Sequence, residues 1–168
     1  MCKKYNSIPI LIYRTKEEKK VFSPIDYYLQ RINDTRENLI LIIITHLLTE
    51  FIVNQMLESK HNTSGKLFKD KSYSYKVKLM YDLKLIPEDS FRNLVALNKL
   101  RNQYAHQLNP PKDKLKIICE GFTFCELALG EEKLEDAVGD YDFFEILCSW
   151  VLGGLFINVR DKGVIFSL

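Results

Sequence analysis

The sequence predicts an all-α fold, a helical bundle of about five helices forming one domain over residues 1–168. Three observations predict it. Six of the seven glycines follow residue 120, leaving Gly65 alone before it, and a chain poor in turn residues favours long helices over a turn-rich sheet. Apolar residues recur mostly at steps of three and four rather than in alternation. Finally, 168 residues with 46% hydrophobic and 27% charged content can bury roughly two-thirds of the unfolded surface, so neither a disulfide nor a structural metal is needed.

The first helix is expected from about Pro24 to Ile32. Ser23 serves as N-cap, Pro24 sits where its missing N–H costs nothing, and Ile25, Tyr28, Leu29 and Ile32 follow at helical spacing. Asp34-Thr35-Arg36-Glu37 then reads as a capping box ahead of a long apolar helix from Leu39 to Leu57. The polar, lysine-rich Ser59–Ser72 stretch around Asn62-Thr63-Ser64-Gly65 is a loop. Tyr75, Leu79, Met80 and Leu83 mark a third helix, ending before Pro87.

A fourth helix runs from about Pro87 to Gln107, because Asn109-Pro110-Pro111 cannot continue it. Leu115–Leu129 follows as a helix, the acidic Gly130–Asp140 as a connector, and Tyr141–Phe156 as a strongly apolar last helix. Short β elements are expected at the termini: Ile8–Tyr13, and a hairpin pairing Phe156–Val159 with Val164–Phe166.

The apolar runs Leu39–Ile44 and Ile146–Ile157, the latter broken by Ser149, fall short of the about 18 residues a membrane span requires. The basic start Met1-Cys2-Lys3-Lys4 has no small-residue cleavage site behind it, so no signal peptide is expected and the location is read as cytoplasmic. Cys2, Cys119, Cys125 and Cys148 show no C-x-x-C spacing, and no metal site or cofactor is predicted.

The net charge of +2 hides a polarity along the chain. Lys60–Lys114 holds ten Lys and two Arg against five acids, whereas Glu120–Glu145 holds nine acids against Lys133 alone. Within the basic part, Lys69, Lys71, Lys76 and Lys78 interleave with Tyr73, Tyr75 and Tyr81, a composition suited to holding phosphates and stacking bases. The alternative is that the tyrosines are core and the lysines a solvent face.

The fourth helix carries the sharpest signal. At 100° per residue from Phe91, its apolar residues fill an arc of about 220° centred near about 290°, and Arg101 falls at about 280°. An arginine there needs a partner. Asn98, Arg101, Asn102 and His106 are linked by steps of three and four into one polar stripe. Arg101 offers a permanent cation with a fork suited to phosphate or carboxylate, and His106 exchanges protons near neutral pH. Structural alternatives are an ion pair from Arg101 to an acid and a dipole contact at the helix end for His106. His46, Glu50 and Asn54 recur every four residues on the long second helix; Glu50 is the candidate partner of Arg101, and otherwise the line is a solvated edge.

Leu97-Asn-Lys-Leu-Arg-Asn-Gln-Tyr-Ala-His106 resembles the R-N-x-x-x-H signature of HEPN domains. The preceding Tyr75–Arg92 segment resembles the HEPN branch typified by the mannitol operon repressor. The resemblance spans about residues 34–155, leaving an N-terminal extension (1–33) and a C-terminal tail (156–168) outside it. It implies a bundle that dimerises so that two R-N-x-x-x-H helices face one cleft. It also implies a metal-independent RNA endonuclease in which the ribose 2′-hydroxyl attacks. Arg101 would hold the phosphate, Asn102 orient it, and His106 act as acid or base. Apart from the resemblance, Asn98, Tyr104, Glu50 and His46 are taken as supporting residues. The repressor branch implies instead a noncatalytic regulator that binds a partner protein, and other HEPN systems imply a toxin held by an antitoxin.

Overall fold

The computed structural model describes residues 37–61, 68, 70–130 and 132–161. Among them are seven helices and no strand: α1 (Asn38–His61), α2 (Tyr73–Asp82), α3 (Glu88–His106), α4 (Lys112–Cys119), α5 (Cys125–Leu129), α6 (Leu134–Ala137) and α7 (Tyr141–Asp161). The all-α bundle is therefore the fold. The expected Pro24–Ile32 helix, the Ile8–Tyr13 strand, Val164–Phe166 and Lys69 lie outside the described residues.

Helices α1, α3 and α7 form the centre of the bundle. Leu41, Ile42, Leu48, Ile52, Met56 and Leu57 of α1, Leu94, Leu97 and Leu100 of α3, and Phe144 of α7 are all essentially removed from water. Each such side chain contributes roughly 1.5–3 kcal/mol of apolar burial. Cys119, Cys125 and Cys148 are free and buried in the same core, where desolvation pushes the Cys148 thiol up to about 12 and raises the other two.

Three expected elements differ. The Leu115–Leu129 helix is broken into α4 and α5 by the Glu120–Phe124 turn, and the acidic connector holds the single helical turn α6. Phe156–Val159 is not a strand, because α7 continues to Asp161; Leu155 and Val159, one turn apart, are both buried in the bundle, and helical spacing delivers them there. By length and composition alone α1 and α7 are each apolar enough to cross a membrane. Thr45, His46 and Thr49 interrupt the apolar run of α1 without making it polar overall. These two helices pack on each other in the bundle.

Helices α2 and α3 form the hairpin that positions the polar stripe. Ser72 caps α2 by accepting from the Tyr75 backbone N–H at 3.3 Å, as a serine N-cap does. At the other end Leu85 N–H bonds the Met80 carbonyl and Lys84 N–H bonds that of Tyr81, both at 2.9 Å. Lys84 adopts φ 55° to close this turn, a left-handed position that usually takes glycine. Leu85 and Ile86 then bury themselves and Pro87 precedes α3.

Candidate functional site

Face counting placed the buried side of α3 incorrectly. Its buried residues are Asn93, Leu94, Ala96, Leu97, Leu100 and Tyr104, which centre near about 210° from Phe91 at 100° per residue, so Arg101 lies about 70° off that centre. Phe91 and Val95 are only half-buried and Leu108 is exposed, and it was these that drew the expected arc toward Arg101. Arg101 is accordingly half-buried at the rim rather than in the core. Its Nη1 donates to Asn102 Oδ1 at 3.0 Å, and no carboxylate within ion-pair distance of it is found among the described residues.

Glu50 is not its partner. Lys76 Nζ takes that carboxylate at 3.2 Å. The buried face of α2 is Tyr73, Lys76, Val77 and Met80; of the expected Tyr75, Leu79, Met80 and Leu83, Met80 is buried and Leu79 half-buried, whereas Tyr75 and Leu83 are exposed. That register turns Lys76 inward between α1 and α2, where it cannot reach a phosphate. Lys71 and Lys78 are exposed; Lys71 Nζ stands 5.7 Å from the centre of the Tyr75 ring, and Lys78 bonds Asp82 one turn on at 3.1 Å.

The His46 line is not a solvated edge either. His46 is buried, its ring 4.2 Å from that of Tyr73. Its Nε2 lies 3.0 Å from Asn98 Oδ1, and Asn98 Nδ2 donates to Ser74 Oγ at 3.0 Å. Since the amide oxygen only accepts, the proton sits on Nε2. Thr49 Oγ1 donates to the His46 carbonyl at 2.8 Å and pairs with the Tyr73 hydroxyl at 2.9 Å. Burial holds His46 below its ordinary value of 6.5; the Asn98 hydrogen bond opposes this, Arg101 adds to it, and Glu50 opposes it. The imidazole is thus kept neutral beside a permanent cation.

Asn98 therefore ties α1, α2 and α3 together one turn before Arg101. Arg101 and Asn102 follow it, and His106 ends α3, exposed in the last turn where a cation is favoured by the helix dipole. The structure brings Asn98, Arg101, His46 and Glu50 into one neighbourhood. Tyr104 belongs elsewhere: it is buried edge-on against Phe144, 6.0 Å between ring centres. Comparison with protein-family models, curated proteins and solved structures gives no significant match.

One relation among these residues was not legible beforehand. Tyr81 stacks on Phe91 and Ser74 meets Asn98, so α2 and α3 are antiparallel. Ser74, Tyr73 and Thr49 were also missed as members of the network. Their small or aromatic hydroxyls carry no signal until the helices are packed.

Proposed function

We propose that this chain is a cytoplasmic, HEPN-like, metal-independent RNA endonuclease that works as a homodimer, with Arg101, Asn102 and His106 at a composite site. The observation that carries the reading is the stripe itself. The Arg101 guanidinium stands at the rim of the bundle, bound to the neighbouring Asn102 amide and not to an acid among the described residues, with the exposed His106 about one turn beyond. Its remaining donors suit the non-bridging oxygens of a phosphodiester. Lys71, exposed just ahead of α2, offers a further cation.

In this chemistry His106 accepts the 2′-hydroxyl proton. The 2′-oxygen forms its bond to phosphorus as the bond to the 5′-oxygen breaks, leaving a 2′,3′-cyclic phosphate and a 5′-hydroxyl. His106 of the partner subunit protonates the leaving oxygen. Arg101 stabilises the charge that builds on the non-bridging oxygens, and Asn102 orients the Arg101 fork through their hydrogen bond. A positioned acid or base contributes roughly 100-fold to 10,000-fold.

The test is RNA cleavage in EDTA by wild type and His106→Ala, with analysis of the ends and circular dichroism of both proteins. Loss of cleavage with an unchanged helical spectrum, and cyclic phosphate ends from the wild type, is expected. Cleavage by His106→Ala equal to wild type removes that residue from the mechanism. A wild type inert toward diverse RNAs favours the regulator of the mannitol operon repressor type, or a toxin-like chain acting through a protein partner.

A further inference from the structure

A cleft lies away from the Arg101 stripe. It opens between the first half of α3, the Thr123–Phe124 turn and the middle of α7, with a volume of about 470 Å³, within the range of small-molecule sites. Its contact with α3 centres on Asn93, eight residues before Arg101, or about 12 Å along the helix.

Three features distinguish it. The first is Gly153-Gly154 in the interior of α7, where glycine is among the poorest helix formers. A side chain added at either position would meet no atom within 4 Å, so nothing inside the fold demands glycine there. Both residues line the cleft, and they leave the α7 backbone open to close approach.

The second feature is Asn93, only 7% exposed. Its Oδ1 accepts from the Thr123 backbone N–H at 2.8 Å and from Thr123 Oγ1 at 3.1 Å. A backbone N–H can only donate, which fixes the amide orientation and directs Nδ2 the other way. Nδ2 meets no acceptor among the described residues and is not one of their fully buried unpaired atoms, and Asn93 lines the cleft. A donor that water reaches in this way is open to an acceptor group of a ligand, which would take the water's place.

The third feature is aromatic. Trp150, one helical turn before Gly154, lines the cleft and is supported by Phe124, with 5.1 Å between ring centres. A flat ring lying over the two glycines falls beside the indole. Asp89, one turn before Asn93 on the same side of α3, adds an exposed carboxylate to the rim.

We infer that this cleft binds an uncharged planar heterocycle that presents a carbonyl beside ring N–H donors, the edge carried by guanine. The Asn93 Nδ2 donates to the carbonyl, the Asp89 carboxylate accepts from the N–H groups, and the ring packs over Gly153-Gly154 against Trp150. A phosphate near this edge is disfavoured by Asp89 and Glu88. The site is independent of the Arg101 stripe and of any nuclease activity.

Trp150 is the single tryptophan of the chain, so its emission reports ring stacking directly. The experiment titrates guanosine and adenosine into the full-length protein and into Asn93→Asp and Gly154→Ala. Asn93→Asp keeps an acceptor for Thr123 and replaces the amide donor with a carboxylate oxygen, and Gly154→Ala has free space for its methyl group. Saturable quenching by guanosine with a Kd below about 1 mM is expected, with adenosine weaker. Each variant should weaken guanosine at least tenfold, and Gly154→Ala should melt no lower than wild type. No saturable quenching by either nucleoside overturns the proposal, as does guanosine affinity equal to wild type in both variants. A change of oligomeric mass in Gly154→Ala without nucleoside binding also overturns it, and assigns the glycines to packing against a second copy.

Discussion

The Glu50–Lys76 pair is asymmetric, and truncating its two sides should have unequal consequences. The Lys76 side chain is 4% exposed, whereas that of Glu50 is 32% exposed. Glu50→Ala strands an ammonium between α1 and α2 with no acceptor in place. Breaking a fully buried pair costs about 3–5 kcal/mol; because water reaches the Glu50 side, about 2–3 kcal/mol is the appropriate figure here. In a chain of this size that lowers the melting temperature by about 5–10 °C. Lys76→Met keeps the apolar stem and leaves a carboxylate that can turn to solvent, so its cost should stay within about 1 kcal/mol. Combining the two changes should recover most of the loss from Glu50→Ala, since no charge is left unpaired. Urea unfolding of the three variants measures this directly, with m checked for constancy. Should Lys76→Met prove as costly as Glu50→Ala, Lys76 is not the buried member and the inward register of α2 is wrong. RNA affinity provides a second readout: Lys76→Met should leave it unchanged, whereas Lys71→Ala should weaken it.

Arg101→Ala should change stability by no more than about 1 kcal/mol in chemical denaturation, as for a rim residue outside any buried network; a loss of about 3–5 kcal/mol would mark it as half of a buried ion pair. Leu100→Ala, by contrast, empties a fully enclosed site and should cost about 2–5 kcal/mol by the same assay. His46 is held below 6.5 in the fold, so the unfolded chain binds its proton more readily. The stability this contributes is complete above pH 6.5 and is lost as pH falls through the depressed folded value. Urea midpoints measured from neutral pH downward should therefore decline more in wild type than in His46→Gln, which cannot titrate; identical slopes would show that His46 carries no such linkage.

What could be read from residues alone was the class of fold and the address of the polar stripe. Glycine scarcity, the prolines at 87, 110 and 111, and three-to-four spacing located α2, α3 and α7 to within a few residues, apart from the end of α7. These are local properties, set by backbone freedom and by which side chains share a helix face. The sequence also located Asn98, Arg101, Asn102 and His106 on one stripe, since steps of three and four are a matter of helix geometry. It did not reveal which way each helix faces. Counting every apolar residue put Arg101 in the core and Tyr75 in the buried face, because an apolar side chain left at the surface contributes to such a count as much as a buried one.

Facing is decided by what the neighbouring helices can accept. The α1–α2 groove offers Glu50 to Lys76, and the meeting of three helices gives His46 to Asn98 and Asn98 to Ser74. Residues as far apart as 46 and 98 have no relation along the chain. The Gly153-Gly154 cleft is likewise a product of packing, since Asn93, Thr123 and Trp150 converge only when α3, the α4–α5 turn and α7 are assembled. The helices are thus written in local spacing, while the pairing of their polar groups belongs to the tertiary structure, where burying a donor without an acceptor costs more than a shift in helix facing.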